Sequence, residues 1–465
     1  MREIIQIQVG QCGNQIGYKF WEIISKEHCI MSDGSLGSIH TLGADDYKSK
    51  HLEVFYREER EGNYKARNIM IDLEPDSLDK LHSQDYSQLF DIDNYVFGKE
   101  SASHNWAMGY YREGTEEIEY SLDVVRKELE RCDLAQGIQL VHSLGGGTGG
   151  GFGSLLIENL KDLDRKLILK TFSVFGNPDL SGVAGEPYNS ALSMYTLIEK
   201  ANIVHILDND SMMNLLYQTK QEKFPGGECN QEDVMDYMNH LAGLGMAGIT
   251  SMYRFPDPLF SSTRSFSTNM IPFPRLHFFT VGITHLPNPP KLLPIHNKNK
   301  SPQKEVEYTE IAQRIQNGKF CLSGAHPTSG VYINLTAQIR SSQACSEGRI
   351  LELVKTLNGV NPSNFSDWIA DNIKASVYFA EDGCDNLVNS ATFFGNSTGL
   401  RTRFETLCYR FDQLYKRKAF MRPYRNAGLD VMELEEAKLN VKDLIAEYQM
   451  YQALNEEEDD ILLML

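Results

Sequence analysis

Apolar and polar positions along the first half of the chain fall into two alternating rhythms. Short apolar-rich runs of strand length are each followed by longer stretches with apolar positions three and four apart, the spacing of a helix face. Ile4 to Val9 predicts a strand. It runs into Gly10-Gln11-Cys12-Gly13-Asn14-Gln15, which reads as a tight loop, and then into a helix with Ile16, Phe20, Ile23 and Ile24 on one face. Asn68 to Leu73 predicts a strand, Thr115 to Cys132 a helix, and Ile138 to His142 a strand followed by a glycine run and a helix from about Phe152. Leu167 to Val174 and Ile203 to Leu207 continue the strands. Alternation of this kind predicts an α/β fold with a parallel sheet covered on both faces.

A long helix is predicted from Gln231 towards Ile249, and beyond it the texture changes. Pro256, Pro258, Pro272 and Pro274 punctuate the chain before a strand at Leu276 to Gly282. Leu286 to Gln303 carries five prolines and several lysines and reads as a long exposed loop, a common interaction element. Strands near Val331 to Ile339, Ala375 to Phe379 and Ala391 to Phe394 alternate with helices near Ser346 to Leu357 and Gly399 to Lys418, giving a second, mixed α/β domain. The last 35 residues read as an amphipathic helix ending in an acidic run, 456–460, and the apolar Ile461 to Leu465.

Charge narrows the partners. With 45 Lys and Arg against 63 Asp and Glu, the formal net charge is −18, which disfavours nucleic-acid binding through the overall field. No apolar run reaches the length of a membrane span, and the N-terminus lacks the apolar core of a signal peptide. A soluble, cytoplasmic protein is the expectation. The 8 cysteines are scattered without a CxxC pair, so they read as free thiols, with no support for a zinc site.

The candidate chemistry lies at strand ends. Gly145 to Gly151 has six glycines in seven residues between a strand and a helix. Glycine lets a backbone approach a phosphate closely with its N–H groups turned inward, and the following helix start favours an anion. Ser143 and Thr148 add hydroxyls, and Gly145, Gly146, Gly147 and Gly149 supply backbone. No lysine follows as in GxxxxGK[ST], so this is not a P-loop. Gly10 to Gly13 lacks GxGxxG, which removes a dinucleotide-dependent oxidoreductase. Asp72 and Glu74 flank Leu73 at another strand end. Residues two apart in an extended segment share a face, so both carboxylates could serve a Mg²⁺ ion on a nucleotide phosphate.

Together with these loops, several stretches resemble the tubulins. They are MREIIQIQVGQCGNQIGYKFWE at the start, IDLEP at 71–75, SLGGGTGGGFGS, EPYN at 186–189, FPRLHFF at 273–279, SATFFGNST at 390–398, RKAF at 417–420 and EYQMYQ at 447–452. The resemblance covers nearly the whole chain. It implies a GTP-binding domain at 1–230, a core helix at 231–250, an intermediate α/β domain at 251–398, a C-terminal helical hairpin at 399–454 and an acidic tail at 455–465. It also implies GTP or GDP with Mg²⁺ as cofactors, and head-to-tail association with other tubulin-like subunits. By position, Gln11 and Cys12 would contact the phosphates and ribose, and Ser143, Gly147, Thr148 and Gly149 would cradle phosphates. Glu74, with Asp72 nearby, would serve the metal region, Glu186 would reach the ribose, and Asn209 and Asn239 would read the guanine edge.

The departures carry the specific expectation. The segment 102–106 reads Ala-Ser-His-Asn-Trp, with His104 in place of an amide that helps hold the γ-phosphate. Gly150 replaces a serine, Met235 an aromatic ring stacked on the base, and Gly182 a polar residue near the ribose. Where the family presents Asn-x-Asp and then Glu or Lys to the next subunit's nucleotide, this chain has Phe260, Ser262 and Ser265. A serine is no carboxylate general base. The loop from Gly282 to Glu310, used in the family for lateral contact, is lengthened and proline-rich. Neither α- nor β-type function is expected. The overall texture is most like the zeta type, with the eta type next, which implies a structural GTP-binding protein of centrioles or basal bodies of cilia. The competing expectation is a self-assembling GTPase that forms microtubule-like filaments.

Overall fold

The computed structural model of the chain describes residues 2–37, 51–60, 62–177, 182–223, 230–255, 260, 262–286, 308–316, 318, 320–325, 329–341, 354–357, 365–366, 369, 372–379 and 390–464. The first half runs β1 (Glu3–Val9), α1 (Gly10–Glu27), β2 (Tyr56–Arg60), β3 (Asn63–Ala66), β4 (Asn68–Asp72), α2 (Pro75–His82), β5 (Tyr95–Phe97), α3 (Trp106–Tyr111), α4 (Glu113–Glu130) and β6 (Ala135–Ser143). A wide helical turn at Gly147–Phe152 leads to α5 (Gly153–Leu163), β7 (Ile168–Phe175), α6 (Glu186–Lys200), β8 (Ile203–Asp208), α7 (Asn209–Lys223) and α8 (Gln231–Arg254). The second half holds α9 (Thr263–Met270), β9 (Phe278–Ile283), α10 (Tyr308–Gln316), β10 (Tyr332–Ser341), β11 (Ile373–Phe379), β12 (Ser390–Ser397), α11 (Arg401–Tyr415), α12 (Met421–Ala427) and α13 (Val431–Met464).

Among the described residues, one sheet of ten strands is ordered β11-β10-β12-β9-β8-β7-β6-β1-β4-β5. From β8 to β5 every pair is parallel, as the alternation predicted. The mixed strands of the second half join through the short pairing of Val204 and His205 with Phe278 and Phe279. Residues alternate across the sheet, so each face packs its own core. Ile5, Ile7 and Val9 meet the side holding Phe152, Leu156, Phe404 and Tyr448, and Ile4 meets the α1–α8 side with Trp21, Phe20 and Leu241.

Two boundaries differ from the pattern. Gly10 to Gln15 is not a loop: β1 passes straight into α1 at Gly10, whose φ of +74° lets a single residue turn the chain. The long helix continues past Ile249 to Arg254. Arg254 is buried and paired with Glu27 at 2.6 Å, and Arg340 of β10 reaches the same carboxylate at 3.4 Å. Burial alone would raise the pKa of Glu27, but the two guanidiniums hold it below the usual carboxylate range. This buried ion pair ties α1 to α8 and to the second half. The helix read at Ser346 to Leu357 is described only at 354–357, and most of the proline-rich loop, 287–307, lies outside the described residues.

Candidate functional site

The candidate residues gather along the carboxyl ends of the parallel strands, where open α/β sheets place ligands. The glycine run leaves β6 and enters the wide turn before α5. Its shape is fixed from beneath by His142, a fully buried residue near the end of β6. His142 Nδ1 lies 2.8 Å from the Gly149 carbonyl and Nε2 lies 2.8 Å from Ser173 Oγ. A carbonyl only accepts, so Nδ1 carries the proton and Nε2 accepts from the serine. Burial pushes the imidazole pKa down from its ordinary 6.5 to about 4, which keeps this neutral tautomer in place.

From above, the run is held by the segment 101–106. A Cβ at Gly147 would fall 2.6 Å from the Ala102 carbonyl and 2.8 Å from that of Ser103, so only glycine permits this approach. Ser103 itself is left-handed at φ +50°, an uncommon state for a serine. Asn189 on α6 joins the two segments. Its amide donates to the carbonyls of His104 at 2.8 Å and Gly145 at 2.7 Å, and its oxygen accepts from Trp106 N–H at 3.1 Å and Tyr424 O–H at 2.6 Å. Every hydrogen-bonding direction of this buried amide is used. Its neighbour Glu186, also on α6, packs against Gly145 and Gly176.

The structure brings Gln11 and Asn239 together. Both line a cleft of about 460 Å³ between α1, α2 and α8, with Gln15, Tyr18 and Met235. The Asn239 amide donates to Gln15 at 3.2 Å. Cys12 lies in the first turn of α1, and burial pushes its thiol up to about 12, so it is protonated at neutral pH. Ser143, Gly145, Gly146, Gly147, Thr148 and Gly149 form the neighbouring cradle. Glu186 and Asn209 do not line the Gln11–Asn239 cleft: Asn209 opens α7 at the end of β8, and Glu186 borders a different cavity.

Asp72 and Glu74 do not stand as an equivalent pair on one face. Asp72 is buried at the end of β4 and accepts from the Glu74 backbone N–H at 3.4 Å, whereas Glu74 is exposed, stands at the residue before α2 and accepts from Ser101 Oγ. The chain leaves the strand between them, so the alternation argument stops at Asp72. Among the described residues, no group of three or more His, Cys, Asp or Glu side chains could hold a metal. The five described cysteines are free, as the scattered spacing predicted, and no helix of the described residues is long and apolar enough to cross a membrane.

The sequence reading passed over His142 and Asn189. His142 looks like an ordinary strand residue. Asn189 lies inside the quoted EPYN motif, where a polar side chain on an otherwise apolar helix face was the available signal.

An open parallel sheet, a glycine cradle before a helix and a cleft beside it define a nucleotide-binding α/β domain, and residues 3–217 match the Tubulin/FtsZ family, GTPase domain. The whole chain is also similar to a tubulin beta chain of Cicer arietinum, 39% identical over 465 residues, covering 99% of this chain and 97% of that one. The chain belongs to the tubulin family.

Proposed function

We propose that the chain is a GTP-binding structural subunit of centrioles or basal bodies of cilia, a divergent tubulin most like the zeta type. In this reading it docks head-to-tail on tubulin-like partners and does not stimulate hydrolysis on its neighbour. GTP or GDP sits with its phosphates over Gly145 to Gly149 and its base in the Gln11–Asn239 cleft. Mg²⁺ lies on the side of Asp72 and Glu74. Gln11, Cys12, Ser143 and Thr148 complete the contacts, with Glu186 joining from beside Gly145; Asn209, outside the cleft at the start of α7, would have to approach the guanine edge from there. The chain would then reside in the cytoplasmic cytoskeleton.

The observation that carries the non-stimulating role is how Phe260, Ser262 and Ser265 are used. Phe260 is fully buried and packs on Phe266, with ring centroids 5.7 Å apart. Ser262 is the N-cap of α9 and accepts from Ser265 N–H at 3.0 Å, and Ser265 Oγ accepts from Asn269 at 3.4 Å. These side chains serve the fold of their own helix. A group that orients water and stabilises developing charge needs a free carboxylate or an equivalent there. The second reading, a self-assembling GTPase, requires such a group.

The experiment is phosphate release per complex formed with αβ-tubulin, comparing the native chain with Ser262→Asp combined with Ser265→Glu. Aspartate is itself a good N-cap, so the fold is kept, whereas replacing buried Phe260 by Asn would cost about 3–5 kcal/mol. Turnover should rise in the double variant, because general-base catalysis is worth about 10²–10⁴-fold. Native turnover already equal to that of assembling αβ-tubulin would overturn the proposal.

A further inference from the structure

Glu186 also borders a second cavity, of about 430 Å³, between the start of α6 and the outer helix α11. Its volume is within the range of small-molecule sites. Its walls are apolar: Phe175, Val183 and Pro187 from the sheet side, Leu407 and Leu414 from α11. Set into them are polar groups left without partners. Ser190 is 1% exposed, and its hydroxyl has no hydrogen-bond partner. A helical serine ordinarily satisfies its hydroxyl on the preceding turn. The buried Nε of Arg403 is likewise unpaired, although the rest of that guanidinium is answered by Asp208 at 2.7 Å, Asp210 at 3.4 Å and the Gly176 carbonyl at 3.2 Å. Arg410, also in the lining, makes no ion pair or hydrogen bond among the described residues.

Buried polar atoms without partners are few in folded proteins and call for an explanation. Here two of them, Ser190 Oγ and Arg403 Nε, meet in one cavity beside the partly buried Arg410, and all three groups donate. A hydroxyl, an Nε–H and an uncompensated guanidinium on apolar walls match a ligand that is apolar along its length and carries one anionic acceptor. We propose that this cavity binds a small amphipathic carboxylate. Its apolar body packs on Phe175, Leu407 and Leu414. Its carboxylate pairs with Arg410, the one guanidinium of the lining whose charge is unanswered, and Ser190 and Arg403 Nε supply the remaining donors. A cation is disfavoured, because it would sit beside Arg410, whose charge no ion pair answers among the described residues. A neutral apolar molecule would leave Arg410 without its counter-charge. This inference goes beyond the nucleotide reading and does not rest on it.

The test is calorimetric titration of the full chain, as purified, with decanoate below its micelle concentration and with decanol as the neutral counterpart. Decanoate should bind at one site, at least tenfold more tightly than decanol, since a hydrogen bond to a charged group is worth about that factor or more. Arg410→Gln should weaken decanoate at least tenfold and leave decanol unchanged. Leu407→Trp, which fills the cavity, should abolish both. Neither residue touches the glycine cradle, so nucleotide content should stay as in the native chain in both variants. Arg410 is only partly buried, so Arg410→Gln carries the test should Leu407→Trp fail to fold. The proposal is overturned by decanoate and decanol binding equally, by Arg410→Gln having no effect, or by no binding of decanoate at millimolar concentration.

Discussion

Replacing Asn189 by Leu should cost the chain both stability and its grip on nucleotide. The side chains are similar in size, so packing changes little and polarity changes fully. Four bonds are lost, to the carbonyls of His104 and Gly145 and from the Trp106 N–H and the Tyr424 hydroxyl. Tyr424 keeps a second acceptor in the Gly185 carbonyl at 3.1 Å, so three groups are left to find water or stay bare. A buried group left unpaired costs about 1–3 kcal/mol. Allowing for relaxation, the loss should total roughly 3–6 kcal/mol. Asn189→Asp separates the roles of the two halves of the amide: the carboxylate still accepts from Trp106 and Tyr424 but faces two carbonyls it cannot donate to, so it should destabilise the cradle as well. Urea unfolding followed by circular dichroism reads the stability, and nucleotide retained through gel filtration reads the cradle. If Asn189→Leu unfolds at the native midpoint and keeps its nucleotide, then Asn189 does not join the 101–106 segment to the glycine run in solution.

Two further predictions follow from buried bases. His142 is neutral in the folded chain to about 4, whereas an unfolded histidine protonates near 6.5, so stability is intact above 6.5 and falls as pH drops towards 4; the deficit reaches roughly 3 kcal/mol, and His142→Gln should flatten that part of the pH–stability curve. Lys170 is 3% exposed, its amine has no hydrogen-bond partner, and burial pushes its pKa from 10.5 to about 7. Unfolding binds a proton in that interval, so the deficit is fully present below about 7 and disappears as pH rises through 10.5. Lys170→Met should therefore raise the unfolding free energy at neutral pH by roughly 2–5 kcal/mol, with the gain vanishing near pH 10.5, as read by urea titrations at both pH values.

Much of the architecture was legible because strands and helices bury their faces with different periods. Ile138 to His142 and Ile203 to Leu207 stood out as short apolar runs, and both are central strands. The glycine run stood out by composition alone. What stayed hidden depended on partners distant in sequence. Gly10 looked like a loop glycine, because a positive φ at a helix start leaves no periodic trace. The extension of α8 to Arg254 was invisible, because a charged residue in the last turn gives no sign that Glu27, distant in sequence, pairs with it inside the fold. Asp72 and Glu74 shared a face only for as long as the strand lasted. Phe260 and Ser262 were read correctly as lacking a carboxylate, but their use as core and helix cap emerged only from the packing.

The central claim is that the glycine cradle and the Gln11–Asn239 cleft hold a guanine nucleotide. The most direct measurement is to purify the native chain, denature it, and identify the released nucleotide by ion-exchange chromatography against the protein concentration. Close to one GTP or GDP per chain is predicted, falling to near zero when Thr148 and Gly149 are replaced by bulky residues. A folded native chain that releases no nucleotide and takes up no added GTP would contradict the account.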